Sequence, residues 1–112
     1  MDKAELDQFI EYYHEYEYEY NVHADIISHM YEHFGREFIH RIPIERKTDG
    51  FGYRISVIES THLRHSVTEP AYFVSNSQPR FYILGYYMTL DDWLPRSALS
   101  SEEQIMFKLK YG

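Results

Sequence analysis

The run Glu15-Tyr16-Glu17-Tyr18-Glu19-Tyr20 alternates carboxylates and phenol rings with nothing between them. Read as the continuation of a helix, it sets Glu11, Glu15 and Glu19 in one row at spacing four, with Tyr12, Tyr16 and Tyr20 in the row beside it. Neighbouring carboxylates in such a row stand about 6 Å apart, on the scale of the charge spacing along a nucleic-acid strand. Tyrosine adds wide, rigid contact area for few frozen torsions. This chemistry is recognition rather than reaction. Glu11, Tyr12, Glu15, Tyr16, Glu17, Glu19 and Tyr20 form a candidate face for a protein partner with a basic surface, imitating the polyanion such a partner holds. The plain alternative is a solvated helix face whose tyrosines half-pack on the sheet. Like charges at spacing four destabilise a helix, so either reading needs something to offset the repulsion.

Histidines offer a second chemistry. Asp25, His29 and His33 share a helix face at spacing four, and two such histidines can grip one metal ion. A third donor would have to come from Glu59, His62 or His65. The string His29-Met30-Tyr31-Glu32-His33 matches the H-x-x-E-H pattern of inverted zinc proteases, but it stands in an acidic helix with no catalytic framework around it. It reads as coincidence, and exposed surface histidines are the default.

A third pattern is Glu45-Arg46-Lys47, an E-x-K string followed by Thr48, a strand-like stretch Tyr53 to Ile58, a polar crossover, Tyr72-Phe73-Val74, and Phe81-Tyr82-Ile83-Leu84-Gly85-Tyr86 leading to Asp91-Asp92-Trp93. This order, over about residues 42–94, resembles the restriction-endonuclease-like PD-(D/E)xK core. The resemblance implies a metal-dependent nuclease using Mg or Mn, or a degenerate relative of one. Glu45 would be a metal ligand, and Lys47 would polarise the attacking water or stabilise developing charge. The family places a further acidic residue on an upstream hairpin. Here only Gly35 to Pro43 intervenes, and Glu37 or Glu32 would have to supply that acid. Without the resemblance, Glu45 and Lys47 are a solvent-facing pair on a strand.

Positioning these groups requires both helices and strands. Leu6, Phe9, Ile10 and Tyr13 recur at helical spacing from Asp2, and no breaker stops the helix before the Glu-Tyr run, so one helix is expected to reach Tyr20, with Asn21 in the following turn. Ile26, Ile27, Met30 and Phe34 predict a second helix over His23 to Phe34, with Gly35 as its terminating glycine. Strand patterning is expected to begin at Phe38, Ile39, Ile42 and Ile44. Asp49-Gly50 marks a hairpin into Tyr53 to Ile58, and further strands fall at Ala71 to Val74 and Phe81 to Met88. Ser100-Ser101-Glu102-Glu103 is a capping-type start for a short last segment carrying Ile105, Met106, Phe107 and Leu109.

The whole reads as an α+β fold. Two N-terminal helices are expected to pack on a roughly four-stranded antiparallel or mixed sheet, with a short C-terminal element, as a single domain over residues 1–112. Within it the acidic helices cover residues 1–35, the sheet residues 38–94 and the C-terminal segment residues 95–112. The expected core is Leu6, Phe9, Ile10, Ile26, Ile27, Met30, Phe34, Ile42, Ile55, Val57, Phe73, Ile83 and Leu84.

Composition narrows function further. With 44% hydrophobic and 18% aromatic residues the chain can build a core unaided, and with no cysteine it has neither disulfides, thiolate zinc sites nor a thiol nucleophile. Met1 to Phe9 lacks the pattern of a secretion signal, and no apolar run approaches the ~18 residues of a membrane span. A cytoplasmic protein is expected, in a host cytoplasm if phage-encoded. Residues 1–35 carry nine carboxylates against Lys3 alone, a net −8, while the other 77 carry nine acids and ten bases, a net +1. Arg54, Arg64 and Arg80 lie near aromatics but are too sparse to line a polyanion groove, which disfavours direct nucleic-acid binding. No nucleophile elbow and no glycine-rich phosphate loop is present. The leading expectation is a small acidic inhibitor of a nucleic-acid-processing enzyme or toxin, needing no cofactor, and similar in composition to phage antagonists of host defence and to immunity proteins. The nuclease is the alternative, and a homodimer through the first helix is a further option.

Overall fold

The computed structural model describes residues 2–16, 19, 23–48, 50, 52–59 and 61–112, with the backbone alone described at 23 and 24. It has an α+β architecture and forms two compact units, Met1–Pro43 and Ile44–Gly112. Among the described residues no helix is long and apolar enough to cross a membrane.

The first unit is helical. Helix α1 spans Lys3–Tyr16, and Asp2 caps it by accepting the Glu5 amide at 2.8 Å. Its three-and-four spacing turns Phe9 and Tyr13 fully inward, while Leu6 and Ile10, expected in the core, are half-buried on the shoulders of the stripe. Helix α2, His23–Phe34, runs as its periodicity predicts and buries Ile26, Ile27 and Met30. At its end the Gly35 amide donates to the Tyr31 carbonyl at 2.8 Å, with φ at +92°, a conformation that favours glycine.

Residues 36–40, expected to open the strand region, instead form a short helix α3, Arg36–His40. Phe38, Ile39 and Ile42 fit one helical turn as well as they fit a strand, and burial decides between them. Ile39 and Ile42 are buried, and Phe38 closes a ring cluster with Phe9 (5.5 Å) and Phe34 (5.3 Å). Phe9 also meets Phe34 edge-on at 4.9 Å.

The second unit holds the strands. Strands β1 (Ile44–Thr48), β2 (Tyr53–Ile58) and β3 (Tyr72–Val74) form an antiparallel sheet in that order, in register Ile44↔Ile58 and Tyr53↔Val74. The hairpin expected between the first two is present, although Asp49 and Phe51 of its loop lie outside the described residues. Strand β1 is an edge, exposed along its whole length.

In place of one last strand over Phe81 to Met88, the chain folds back on itself as β4 (Phe81–Ile83) and β5 (Tyr86–Met88), a second, two-stranded sheet. Leu84 (φ +52°) and Gly85 (φ +86°) make the turn. Glycine fits its place because a Cβ there would sit 2.9 Å from the Leu63 Cδ2. The four-stranded sheet expected from the sequence is therefore a three-stranded sheet and a hairpin, linked by a bridge between Tyr72 and Arg80.

Helix α4, Leu90–Trp93, is capped by the Thr89 hydroxyl, which accepts the Asp92 amide at 3.2 Å, and runs into a 3₁₀ turn over Leu94–Arg96. The last segment is helix α5, Ser101–Tyr111, opened by the expected capping box between Ser100 and Glu103. Trp93 is the centre of this unit's core. It is fully buried, its ring lies 4.7 Å from Phe81 and 5.8 Å from Phe107, and its indole N–H donates to the Ser66 carbonyl at 2.9 Å. Val57, Ile83 and Leu84 are buried as expected, while Ile55 and Phe73, on opposite faces of the three-stranded sheet, are only half-buried.

Candidate functional site

Helix α1 places Glu11 and Glu15 on its exposed face, four residues apart as expected. The row stops there. The helix ends at Tyr16, and the Glu19 amide donates to the Tyr16 carbonyl at 3.1 Å in a bend, so Glu19 is exposed beyond the helix rather than stacked above Glu15. Glu17 and Tyr20 lie outside the described residues.

Tyr12 and Tyr16 half-pack, on α2 and not on the sheet. Tyr12 is not held out beside the glutamates; it is wedged against α2. Its ring stacks on His33 at 4.0 Å and meets Phe34 edge-on at 5.2 Å, and its hydroxyl lies 3.1 Å from the His29 Nε2. Tyr16 packs on Tyr12 at 4.6 Å and on His29 at 5.6 Å. Both tyrosines are half-buried. The exposed carboxylates thus stand on a helix that packs on α2 through an aromatic seam.

That seam also accounts for the histidines. His29 and His33 lie on one face of α2 with rings 6.3 Å apart, both engaged with Tyr12, and Asp25 is exposed one turn earlier. Among the described residues no group of three His, Asp or Glu side chains is placed to hold a metal ion. His65, a candidate third donor, is buried, and its Nδ1 accepts the Leu84 amide at 2.9 Å. It is a core histidine that supports the backbone of the β4–β5 turn. Replacing His65 by alanine strands that amide inside the fold and is expected to cost about 1–3 kcal/mol, measured by chemical denaturation. Stability equal to the parent's would refute this role.

Glu45 and Lys47 project from the same side of β1, opposite Val57 and Ile55, and both are exposed. Lys47 Nζ lies 3.5 Å from the Nδ1 of His62, an exposed loop histidine with φ +60°. Glu37 belongs to the first unit, on α3, where it pairs with Arg41 at 3.6 Å. Charged side chains along an exposed edge are also a common guard against edge-to-edge association. Next along the edge, Arg46 pairs with Glu69, which also reaches Arg54 at 3.5 Å.

Two groupings escaped the sequence reading. Arg64 and Arg80 converge on the Tyr72 ring, at 4.8 and 5.4 Å from its centroid, and Arg64 also donates to the Tyr82 hydroxyl at 3.1 Å. The sequence shows these arginines near aromatics, but the strand pairing that joins them is not written locally. In the first unit, a groove of about 480 Å³ is lined by Phe34 and Phe38 together with Glu5, Arg36, Glu37 and Arg41. Its charges are mixed. The most one-sided surface chemistry in the chain remains that of the first unit, in which residues 1–43 carry ten acids against Lys3, Arg36 and Arg41. Comparison of the chain with protein-family models, with curated proteins and with solved structures finds no match.

Proposed function

We propose that this protein acts by binding. Its acidic helical unit occupies the basic surface of a nucleic-acid-processing enzyme or toxin and blocks access to that surface. The observation that carries the reading is charge segregation. Residues 1–43 hold a net −7, the whole net charge of the chain, while residues 44–112 balance eight acids with eight bases. Asp2, Glu5, Asp7, Glu11, Glu15 and Glu19 are all exposed. Such a field steers a basic partner and favours close association at low ionic strength. The aromatic seam between α1 and α2 supports the reading further, because a preorganised face loses little conformational freedom on binding.

The test is a pull-down from lysate at low and high salt, followed by the affinity of the recovered partner for Glu11→Gln/Glu15→Gln/Glu19→Gln and for Glu45→Ala/Lys47→Ala. Charge-driven binding predicts a partner released by salt and an affinity lowered about 10- to 100-fold by the triple substitution, since each lost rim charge contributes up to about 1 kcal/mol. The β1 pair is expected to have no effect. Salt-independent binding, or loss of binding from the β1 pair alone, defeats the proposal; in the second case, magnesium- or manganese-dependent cleavage of nucleic acid is the next assay.

A further inference from the structure

Helix α5 has one satisfied face and one that is not. Phe107 stacks on Trp93 and Tyr111 meets Phe81 edge-on at 5.9 Å, which fixes the inward side. The opposite side carries Ile105, Met106 and Leu109, exposed at 62%, 68% and 83%. Spacings of one, three and four put these three on one contiguous patch. Five large apolar side chains are exposed among the described residues, and three of the five are here, so this is the strongest apolar surface described. Beside it, a groove of about 370 Å³ is lined by Leu94, Pro95 and Ile105 together with the polar Asp91, Gln104 and Lys108.

The charges flanking the patch select its occupant. Glu102 and Glu103 fill the first turn of the helix, and Lys108 and Lys110 fill the last. A parallel neighbour of identical sequence would set acid against acid and base against base. An antiparallel neighbour, related by a two-fold axis near Met106, sets Glu102 of each helix beside Lys110 of the other, twice over, lays Met106 against its own copy, and brings Leu109 of each helix beside Ile105 of the other. We infer that α5 pairs antiparallel with α5 of a second copy of this chain. The contact is self-complementary and closed, so it yields a dimer and not a fibre. An 11-residue helix is only about 16 Å long, so the interface falls in the small, weak and reversible class. This inference is independent of the acidic face and of its partner.

Sedimentation equilibrium across a wide concentration range tests it. The average mass is expected to rise with concentration toward twice that of the monomer. Ile105→Glu with Leu109→Glu, both solvent-facing, should leave the circular dichroism unchanged and abolish the rise. Lys110→Glu alone should weaken the dimer at least about tenfold, by placing two like-charged pairs in contact. Adding Glu102→Lys to it should restore the dimer, because the swap recreates both attractive pairs only in the antiparallel arrangement. A monomer at every concentration overturns the inference. So does a dimer that survives Ile105→Glu/Leu109→Glu, which would locate self-association elsewhere, for example on α1, or a charge swap that fails to restore what Lys110→Glu removes.

Discussion

Trp93→Ala is expected to destabilise the second unit by about 3–5 kcal/mol, the range for removing a large aromatic from a packed core. Three losses coincide at this position. The indole fills the space between β4 and α5, where it touches Phe81 and Phe107. It is fully buried, so its absence leaves a cavity that rigid strands on one side and a capped helix on the other are poorly placed to close. Its N–H also satisfies the Ser66 carbonyl in a segment with little regular structure of its own. Urea unfolding followed by far-ultraviolet circular dichroism measures the change. Trp93→Phe restores most of the volume but not the donor, and should recover more than half of the loss. If alanine and phenylalanine destabilise equally, the hydrogen bond outweighs the packing and ring contacts do not hold this core. A loss below about 1 kcal/mol for alanine would mean that the indole is not a core group at all.

Phe9→Ala is the counterpart in the first unit, with an expected cost again of about 3–5 kcal/mol. Phe9 is buried and is the ring that α1 contributes to the cluster with Phe34 of α2 and Phe38 of α3. Its removal loosens all three helices at once, whereas Tyr12→Phe keeps the seam and removes only the hydroxyl near His29, for about 1 kcal/mol. Amide exchange in residues 3–40 provides the measurement. Protection unchanged by Phe9→Ala would show that the cluster does not hold these helices together.

How much of the fold was legible in the sequence depended on how local the deciding physics was. Helix α2 was legible because its apolar period and terminating glycine are written within a few residues of one another. The β1–β2 hairpin and the α5 capping box were legible for the same reason. Residues 36–40 were not, since Phe38, Ile39 and Ile42 satisfy both periods and the choice was made by Phe9, which lies far away in sequence. The β4–β5 turn was missed because Leu-Gly is not an expected turn pair. Leucine holds a positive φ here because its side chain is buried and its amide is taken by His65, nineteen residues earlier.

The candidate site shows the same division. Its charge was countable from composition, and Glu11 and Glu15 are exposed as the spacing implied. The inward turn of Tyr12 depends on contacts with α2 that no window of eight residues contains. Glu45 and Lys47 were expected on a strand and are on one, but an edge position is a property of the sheet order, which emerges only once the strands are paired.

The chain contains one tryptophan, and the fold buries it in the second unit. Its twelve tyrosines divide evenly, six in residues 1–43 and six in residues 44–112. Selective excitation of the indole therefore gives a native optical reporter for the second unit, its emission shifting to the red as water reaches the ring. Tyrosine emission reports on both units. Recorded together on one unlabelled sample, the two colours show whether the halves of this chain melt in one step or in succession.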